Sequence, residues 1–269
     1  MIEFLHTFNP QPIIFQYGLV TLHWYGIFVV SGILAGFKVV SRLAKKYQLA
    51  IDQIYDLGFY MILFGLVGAR IFSVFLDLSY YRQHPLEIFA IWQGGLAIHG
   101  AIIAGLMVLG FYAYRQALDF WRLADMIAPA LALGQAIGRW GNYFNQEIFG
   151  TPTNLPWGIP IEFKNRPIEY LSYDYFHPTF LYESILNILN FALLFFLHYR
   201  LKNKKPGLIV LLYLINYSLI RLALETVRTD AVPLLLGLRA TTISALALAA
   251  VAIGMIGWRY RSSLTLKRR

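Results

Sequence analysis

Long stretches without a charged residue constrain the fold of this chain more than any other feature. Residues 4–37, 88–114 and 240–258 contain no Asp, Glu, Lys or Arg. A helix needs about 20 mostly apolar residues to cross the hydrocarbon core of a bilayer, and each stretch is about that long or longer. Only 14% of all residues are charged, whereas soluble domains usually contain about 25%. The sequence therefore predicts a membrane protein.

Four further segments reach this length only if a charge is allowed inside the membrane. They are about 53–77 with Arg70, 122–142 with Arg139, 178–199 with Glu183, and 207–228 with Arg221 and Glu225. Together with the three uncharged stretches they predict an all-α polytopic protein with seven transmembrane helices, organised as a single domain over residues 1–269. The segment 144–178 is rich in Pro, Asn, Gly and aromatic residues. We interpret it as a small cap at the outer membrane surface.

Lys and Arg are distributed unequally between the two faces of this seven-helix arrangement. One face has Arg42, Lys45, Lys46, Arg115, Arg122, Arg200, Lys202, Lys204, Lys205, Arg259, Arg261, Lys267, Arg268 and Arg269, and the other has Arg82, Lys164, Arg166, Arg228 and Arg239. Because cytoplasmic loops carry the excess of positive charge, we predict an outer N-terminus and a cytoplasmic C-terminus. The net charge of +9 then reflects topology and anionic lipid headgroups rather than nucleic-acid binding.

Several kinds of chemistry can be excluded by what the sequence lacks. The chain has no cysteine, which excludes disulfides, zinc–thiolate sites, iron–sulfur clusters and a nucleophilic Cys. It also lacks HExxH, Walker A and Gly-x-Ser-x-Gly motifs, so those metalloprotease, nucleotide and hydrolase sites are not expected. We predict neither a metal nor a cofactor. Small residues at four-residue spacing (Gly32/Gly36 and Gly134/Gly138) predict close helix packing.

Charged residues inside the predicted spans lie at similar depths. At 1.5 Å per residue, Arg70, Arg139 and Arg221 lie about 27, 25 and 21 Å from the cytoplasmic ends of their helices. Tyr25 and His99 lie some 5–12 Å below the outer surface by the same estimate. We therefore expect a polar site in the outer leaflet, while the inner half of the protein is expected to be apolar. Snorkelling towards the surface is an equal alternative for Arg70 alone.

Several arginines at headgroup depth predict binding of an anion, and phosphate is the abundant anion there. Arginine binds phosphate through a planar, bidentate fork that stays protonated. Arg221, Glu225 and Arg228 have i, i+4, i+7 spacing, which would place alternating charges on one helix face. This pattern strengthens the expectation of a charged site.

Three motifs add polar groups to this region, and each has a structural alternative. In the run Gly138–Thr153, Asn142 and Asn145 could bind a lipid headgroup or simply cap the end of a helix. His99 follows Gly94 and Gly95 and could act in chemistry or only in packing. The segment His177–Glu183 could equally be an ordinary helix start, with Pro178 and an early acidic residue.

Taken together, these motifs resemble the prolipoprotein diacylglyceryl transferase family of bacterial inner-membrane enzymes. The resemblance covers nearly the whole chain and rests on His23–Gly26, Gly68–Arg70, Gly94–Gly100, Arg139–Thr153, His177–Glu183 and Arg221–Asp230. It implies a multi-pass protein of the bacterial cytoplasmic membrane. It also implies transfer of the diacylglyceryl group of phosphatidylglycerol to the lipobox cysteine of a preprolipoprotein, with release of glycerol phosphate and without a cofactor.

The resemblance also implies roles for individual residues. Arg139 and Arg221 would bind the phosphate, Glu225 would orient Arg221, and His99 is the candidate base for the substrate thiol. The remaining expected contacts to the lipid headgroup are Tyr25, Arg70, Asn142, Asn145, Glu147 and Arg228. Two other classes stay open at this point, a protein that binds or transports phosphatidylglycerol without reacting and an anion channel or carrier.

Overall fold

The computed structural model describes residues 2–18, 20–201, 205–230, 232–235 and 237–265. Within these residues the α-helices are α1 (Ile2–Thr7), α2 (Trp24–Lys46), α3 (Ile51–Leu76), α4 (Leu78–Gln83), α5 (Ile98–Arg115), α6 (Phe120–Phe144), α7 (Thr179–Arg200), α8 (Leu208–Leu224) and α9 (Ala240–Thr265). The short antiparallel hairpins pair β1 (Ile13–Tyr17) with β2 (Val20–His23), β3 (Ile159–Pro160) with β4 (Tyr175–Phe176), and β5 (Leu234–Leu235) with β6 (Leu238–Arg239). The prediction of a helical protein is confirmed, with these hairpins as an addition.

Five of the described helices are long and apolar enough to cross a membrane. They are α2, α3, α5, α7 and the part of α9 from Ala240 to Arg261. The helix α8 is apolar but has only 17 residues, while α6 has 25 residues and includes the charged Arg122, Asp125 and Arg139. The structure thus supports a helical membrane protein, and the count of seven spans stays a prediction.

The chain forms two compact units, of which the larger comprises Met1–Val39 and Ile127–Arg269. In this unit α7 packs on α8 and α8 packs on α9. A Cβ atom added to Gly32 would lie 3.4 Å from the Cα of Gly134, and one added to Gly36 would lie 3.6 Å from the Cβ of Ala130. The predicted close packing is confirmed between α2 and α6 for Gly32, Gly36 and Gly134, whereas Gly138 meets open space.

The segment 144–178, which is predicted to form a cap, folds around a largely aromatic core beside the end of α6 and the start of α7. This core consists of Leu5, Tyr143, Phe149, Ile159, Ile161, Phe176 and Phe180. The N-terminal segment belongs to it, since His6 Nδ1 lies 2.8 Å from the carbonyl oxygen of Gly158 and Gln146 Nε2 donates to the carbonyl of Pro10 at 2.9 Å. This folded region therefore includes residues 2–10 as well as the segment 144–178, whose position as a cap stays a prediction.

Buried amide groups extend deep between α6, α7 and α8. Asn190, which is 4% exposed, lies about 17 Å along α7 from Thr179 at 1.5 Å per residue. Its Oδ1 accepts a hydrogen bond from Asn216 Nδ2 at 2.9 Å, and Gln135 Nε2 donates to the Tyr213 hydroxyl at 3.0 Å. Asn190 thus lies near the middle of α7, and the expectation of an apolar inner half stays a prediction. Polar side chains can lie there because they bond to one another across helix interfaces.

The smaller unit comprises Val40–Met126, and in it α3 packs closely on α5. A Cβ atom on Gly68 would lie 2.7 Å from the carbonyl oxygen of Gly100. The Ala97 N–H, just before α5, donates to the Ala69 carbonyl at 3.1 Å. The start of α5 is thus held against the C-terminal part of α3.

Candidate active site

The C-terminal end of α6 turns back on itself and brings four polar side chains together. The backbone N–H of Glu147 donates to the carbonyl of Asn142 at 3.0 Å. Asn142 Nδ2 donates to Glu147 Oε1 at 2.8 Å, and Asn142 Oδ1 accepts from Arg139 Nη1 at 3.1 Å. Asn145 Nδ2 donates to the same Glu147 oxygen at 3.3 Å. The buried amide of Asn142 therefore joins Glu147 to Arg139.

Tyr25 packs against the same turn of α6. A Cβ atom on Gly141 would lie only 2.7 Å from Cδ2 of the Tyr25 ring. Glycine is therefore required at this position for the ring to lie flat on the helix. Tyr25 therefore contacts α6 at the residue that precedes Asn142, and it remains 42% exposed.

Glu183 of α7 joins two arginines from different parts of the chain. Its side chain is 6% exposed, and its two carboxylate oxygens pair with Arg139 Nη2 and Arg228 Nη1. A charge this deeply buried is stable only when it is paired and hydrogen-bonded. Glu183 therefore holds the end of α6 against the segment that follows α8.

The helix α8 ends at Leu224, earlier than the predicted 228. Glu225 and Arg228 lie in the turn after it, so the i, i+4, i+7 pattern does not form one helix face. The guanidinium of Arg228 is 4% exposed and has two partners, the carboxylate of Glu183 and, at 2.7 Å, Asp230 Oδ1. Arg228 is therefore already engaged by protein carboxylates.

Arg221 differs from the other arginines of this region in having weak partners. Its side chain is 13% exposed, with Nε 3.4 Å from Glu225 Oε2 and Nη2 3.7 Å from Asp230 Oδ2. Neither contact has hydrogen-bond geometry, and no other acceptor in the described part of the chain takes a hydrogen bond from this guanidinium. A buried guanidinium has five N–H donors to satisfy. Arg221 is thus largely available to bind an anion.

Arg239 and Asp230 complete the group from the other side. Arg239 Nε lies 2.6 Å from Glu225 Oε1, and Arg239 Nη2 donates to the carbonyl of Asp230 at 2.8 Å. Burial alone would raise the pKa of Asp230. The hydrogen bond from Arg228 and the positive charges of Arg228, Arg221 and Arg239 outweigh burial and hold that pKa below its usual value.

We call this set of ionised side chains the charged cluster. Its members are Arg139, Glu183, Arg221, Glu225, Arg228, Asp230 and Arg239. Four guanidinium groups face three carboxylates, so the cluster carries one excess positive charge, while Glu147 is exposed at its margin. An excess positive charge next to unsatisfied arginine donors suits a singly charged phosphodiester.

Two predicted site residues, Arg70 and His99, belong to the smaller unit. The side chain of His99 is exposed near the start of α5. Its ring centroid lies 5.9 Å from that of Phe72. None of the described residues forms a hydrogen bond with its side chain. Arg70 is 7% exposed and its guanidinium donates only to backbone carbonyls. The guanidinium of Arg70 thus lies among backbone carbonyls rather than in open solvent.

Comparison with known proteins identifies the family. The model of the prolipoprotein diacylglyceryl transferase family matches residues 12–258. The chain belongs to this family. A phosphatidylglycerol–prolipoprotein diacylglyceryl transferase of Nostoc sp. is 44% identical over 264 residues, covering 96% of this chain and 92% of the relative. Proteins of the same name from Synechocystis sp. and Acaryochloris marina are 45% and 42% identical, each covering 94% of this chain and at least 90% of their own length.

In this diacylglyceryl transferase family member, most of the predicted site residues lie together. Those of the larger unit are Tyr25, Arg139, Asn142, Asn145, Glu147, Arg221, Glu225 and Arg228. Sequence reasoning missed Asp230 and Arg239 as partners and treated Glu183 equally as an ordinary helix start. The sequence signal for Glu183 was its charge inside a predicted span, which marks a candidate functional residue. The described residues contain no group of three or more His, Asp or Glu side chains suited to a metal.

Proposed function

We propose that the protein transfers the sn-1,2-diacylglyceryl group of phosphatidylglycerol to the thiol of the lipobox cysteine of a preprolipoprotein. The thiol loses its proton and its sulfur forms a bond to the glyceryl carbon. The bond between that carbon and the phosphate oxygen breaks, and its electron pair leaves with glycerol phosphate. The names of the relatives support this reaction, and the charged cluster supports the choice of an anionic lipid as donor.

The available guanidinium of Arg221 is the observation that carries this proposal. Negative charge develops on the phosphate oxygen as the carbon–oxygen bond breaks, and a donor aimed at that charge lowers the barrier. Arg221 can supply such donors without first losing a strong partner, because its contacts to Glu225 and Asp230 are long. Glu225 would set the direction of this guanidinium.

Arg139 would bind the same phosphate from the end of α6. Its Nη2 and Nη1 atoms have partners in Glu183 and Asn142, while its side chain remains 23% exposed. Asn142, which bonds to this arginine, Glu147 and Asn145, which bond to one another, and Tyr25, which packs on Gly141, would contact the glycerol headgroup. Arg228, whose donors are engaged by two carboxylates, would support the cluster without touching the lipid.

His99 would accept the proton of the substrate thiol. A cysteine thiol with a pKa of about 8.5 is mostly protonated at neutral pH, so attack benefits from a base. An imidazole is the side chain best suited to that task near pH 7. The exposed ring of His99, without a hydrogen-bond partner among the described residues, supports this role.

We further propose that α2, α3, α5, α6, α7, α8 and α9 all cross the bacterial cytoplasmic membrane. The N-terminus would be outside and the C-terminus in the cytoplasm. The family membership and the unequal distribution of Lys and Arg support this arrangement. The polar end of α6 and the short α8 would still cross the membrane, because Arg139 and Arg221 lie next to carboxylates of the charged cluster.

The reaction can be tested with purified protein in vesicles that contain phosphatidylglycerol. A lipobox peptide should gain the mass of a diacylglyceryl group, and glycerol phosphate should appear in equal amount. A peptide with Ser in place of the lipobox Cys is the control and should stay unmodified. Binding of phosphatidylglycerol without release of glycerol phosphate would instead favour a lipid-binding protein and contradict the proposal.

A further inference from the structure

Arg70 uses its guanidinium to hold a stretch of backbone. Nε donates to the carbonyl of Ile88 at 2.9 Å, and Nη1 donates to the carbonyls of Gly94 and Gly95 at 2.8 and 2.9 Å. Nη2 donates to the carbonyl of Glu87. Four carbonyl oxygens thus take up four of the five N–H donors that a guanidinium has. Little capacity is left for a lipid headgroup.

The four carbonyls lie at both ends of one connection. Glu87 and Ile88 lie within the 3₁₀ turn Pro85–Phe89, while Gly94 and Gly95 follow the 3₁₀ turn Ile91–Gln93, which lies between the two pairs of carbonyls. The guanidinium therefore holds the two ends of this connection together, and its Cζ lies 5.1 Å from the centre of the Tyr81 ring on another side. A neutral side chain at position 70 would remove the donor from the part-buried bonds to Ile88, Gly94 and Gly95, and an unsatisfied acceptor that is shielded from water is costly.

The glycines of this connection fit closely around the guanidinium. Gly94 and Gly95 have φ values of +92° and +67°, a region that side chains other than glycine seldom adopt. A Cβ atom on Gly95 would lie 2.5 Å from Arg70 Nη1. The backbone conformation before α5 is therefore matched to the position of this one cation.

The same part of α3 also fixes the start of α5. Ala69 accepts the Ala97 N–H, and Gly68 contacts Gly100. His99 lies between these two contacts and its side chain has no hydrogen-bond partner among the described residues. Its ring is therefore placed by the backbone that carries it.

We infer that Arg70 is a positioning residue, which fixes the backbone from Glu87 to Gly95 and thereby the place of His99 at the start of α5. This inference rests on the proposed function for its consequence in catalysis, since His99 is the proposed base. The structural part does not depend on that role. A displacement of about 1 Å in a catalytic group can cost on the order of 100-fold in rate.

The test compares Arg70→Met and Arg70→Lys with the control Arg82→Met. Arg82 is an exposed arginine of α4, shortly before the connection. Hydrogen–deuterium exchange followed by mass spectrometry should be faster in residues 87–100 of both Arg70 variants and unchanged in the control. Arg70→Lys keeps the charge and so guards against simple misfolding, yet one ammonium cannot reach four carbonyls in a planar fork. Unchanged exchange in both Arg70 variants would overturn the inference.

Transfer kinetics then separate positioning from binding of the headgroup. We expect Arg70→Met to lower kcat by roughly 10- to 100-fold, with little change in KM for phosphatidylglycerol. Combined with His99→Gln, it should add no further loss, because residues that act through one another are non-additive. A raised KM together with additive losses would show that Arg70 binds lipid and would overturn the inference.

The two proposals fail in different ways. If His99→Gln alone keeps the full rate, His99 is not the base and that part of the proposed function is wrong. The exchange measurement on Arg70→Lys still decides whether Arg70 fixes the connection. If exchange rises but the rate of Arg70→Met equals that of Arg82→Met, the positioning has no catalytic consequence and the inference is overturned.

Discussion

Replacing Glu183 by Gln tests whether one carboxylate holds the charged cluster together. Glu183 pairs with both Arg139 and Arg228, and Gln keeps its shape and one acceptor oxygen while removing the charge. The two guanidinium groups would then face each other without the anion between them. We expect the folded state to become less stable and the end of α6 to separate from the segment after α8.

The magnitude follows from the two bonds that change. A hydrogen bond to a charged group contributes about 1.5–3 kcal/mol to the free energy of unfolding and a neutral one about 0.5–1.5 kcal/mol. Two weakened bonds therefore predict a loss of about 2–3 kcal/mol for Glu183→Gln. At about 2–4 °C per kcal/mol for a chain of this size, the unfolding midpoint should fall by roughly 4–12 °C.

Thermal unfolding in lipid nanodiscs, followed by tryptophan fluorescence, measures this loss. The matched control is Glu169→Gln, which removes an exposed carboxylate from the cap and should leave the midpoint unchanged. The double variant Glu183→Gln with Arg228→Gln should lose less stability than the sum of the single variants, because it removes charges that no longer have a partner. A Glu183→Gln midpoint indistinguishable from the control would refute the bridging role of this residue.

Three further predictions follow from the larger unit. Gly141→Ala should displace the Tyr25 ring, since the added Cβ would lie 2.7 Å from it, and should therefore raise KM for phosphatidylglycerol. The control Gly138→Ala adds a Cβ in open space and should leave KM unchanged. Equal KM values for the two variants would contradict this prediction. Arg239→Gln should free Glu225 to pair with Arg221 in competition with the phosphate, which would raise KM for phosphatidylglycerol. Arg239→Lys should recover part of this loss, and an unchanged KM in Arg239→Gln would contradict the prediction. A reporter fused to the C-terminus should be cytoplasmic and one inserted in the cap should be outside, so a common location would reject seven spans.

The helices were predictable from the sequence because apolar runs of span length have few alternatives to a helix in a bilayer. The long run 4–37 shows where this reasoning fails. Only its second part forms a span, starting at Trp24, while the first forms α1 and the β1–β2 hairpin. Pro10, Pro12 and Gly18 interrupt the first part, and such residues break helices. A hydropathy average over the run does not detect these helix-breaking residues.

The charged cluster was only partly predictable, because pairing between distant loops leaves no periodic pattern. Arg139 and Arg221 were identified from their charge inside predicted spans. Arg239 was counted only as a loop charge, although it lies 2.6 Å from a Glu225 oxygen. Arg228 was expected on the same helix face as Arg221, yet α8 ends at Leu224. Such partners are set by tertiary contacts that sequence spacing does not contain.

Depth along a helix predicted that Arg70 would belong with the other arginines as a headgroup contact. The structure shows its donors on the carbonyls of Glu87, Ile88, Gly94 and Gly95. A sequence indicates that a buried cation needs partners. Because every residue has a backbone carbonyl, the sequence does not indicate which carbonyls will be those partners. The glycine pair was the available signal, since it allows the backbone to approach closely.

The most direct test of the central claim is the single-turnover transfer rate of Arg221→Lys at saturating phosphatidylglycerol. Lysine keeps the positive charge but lacks the planar fork that binds phosphate through two donors. We expect the rate to fall by about 10²–10³-fold, the usual cost of losing a donor to developing charge. The unfolding midpoint should barely change, because the contacts of Arg221 are long and lack hydrogen-bond geometry. A rate close to that of the unmodified protein would contradict the assignment of Arg221 to the phosphate.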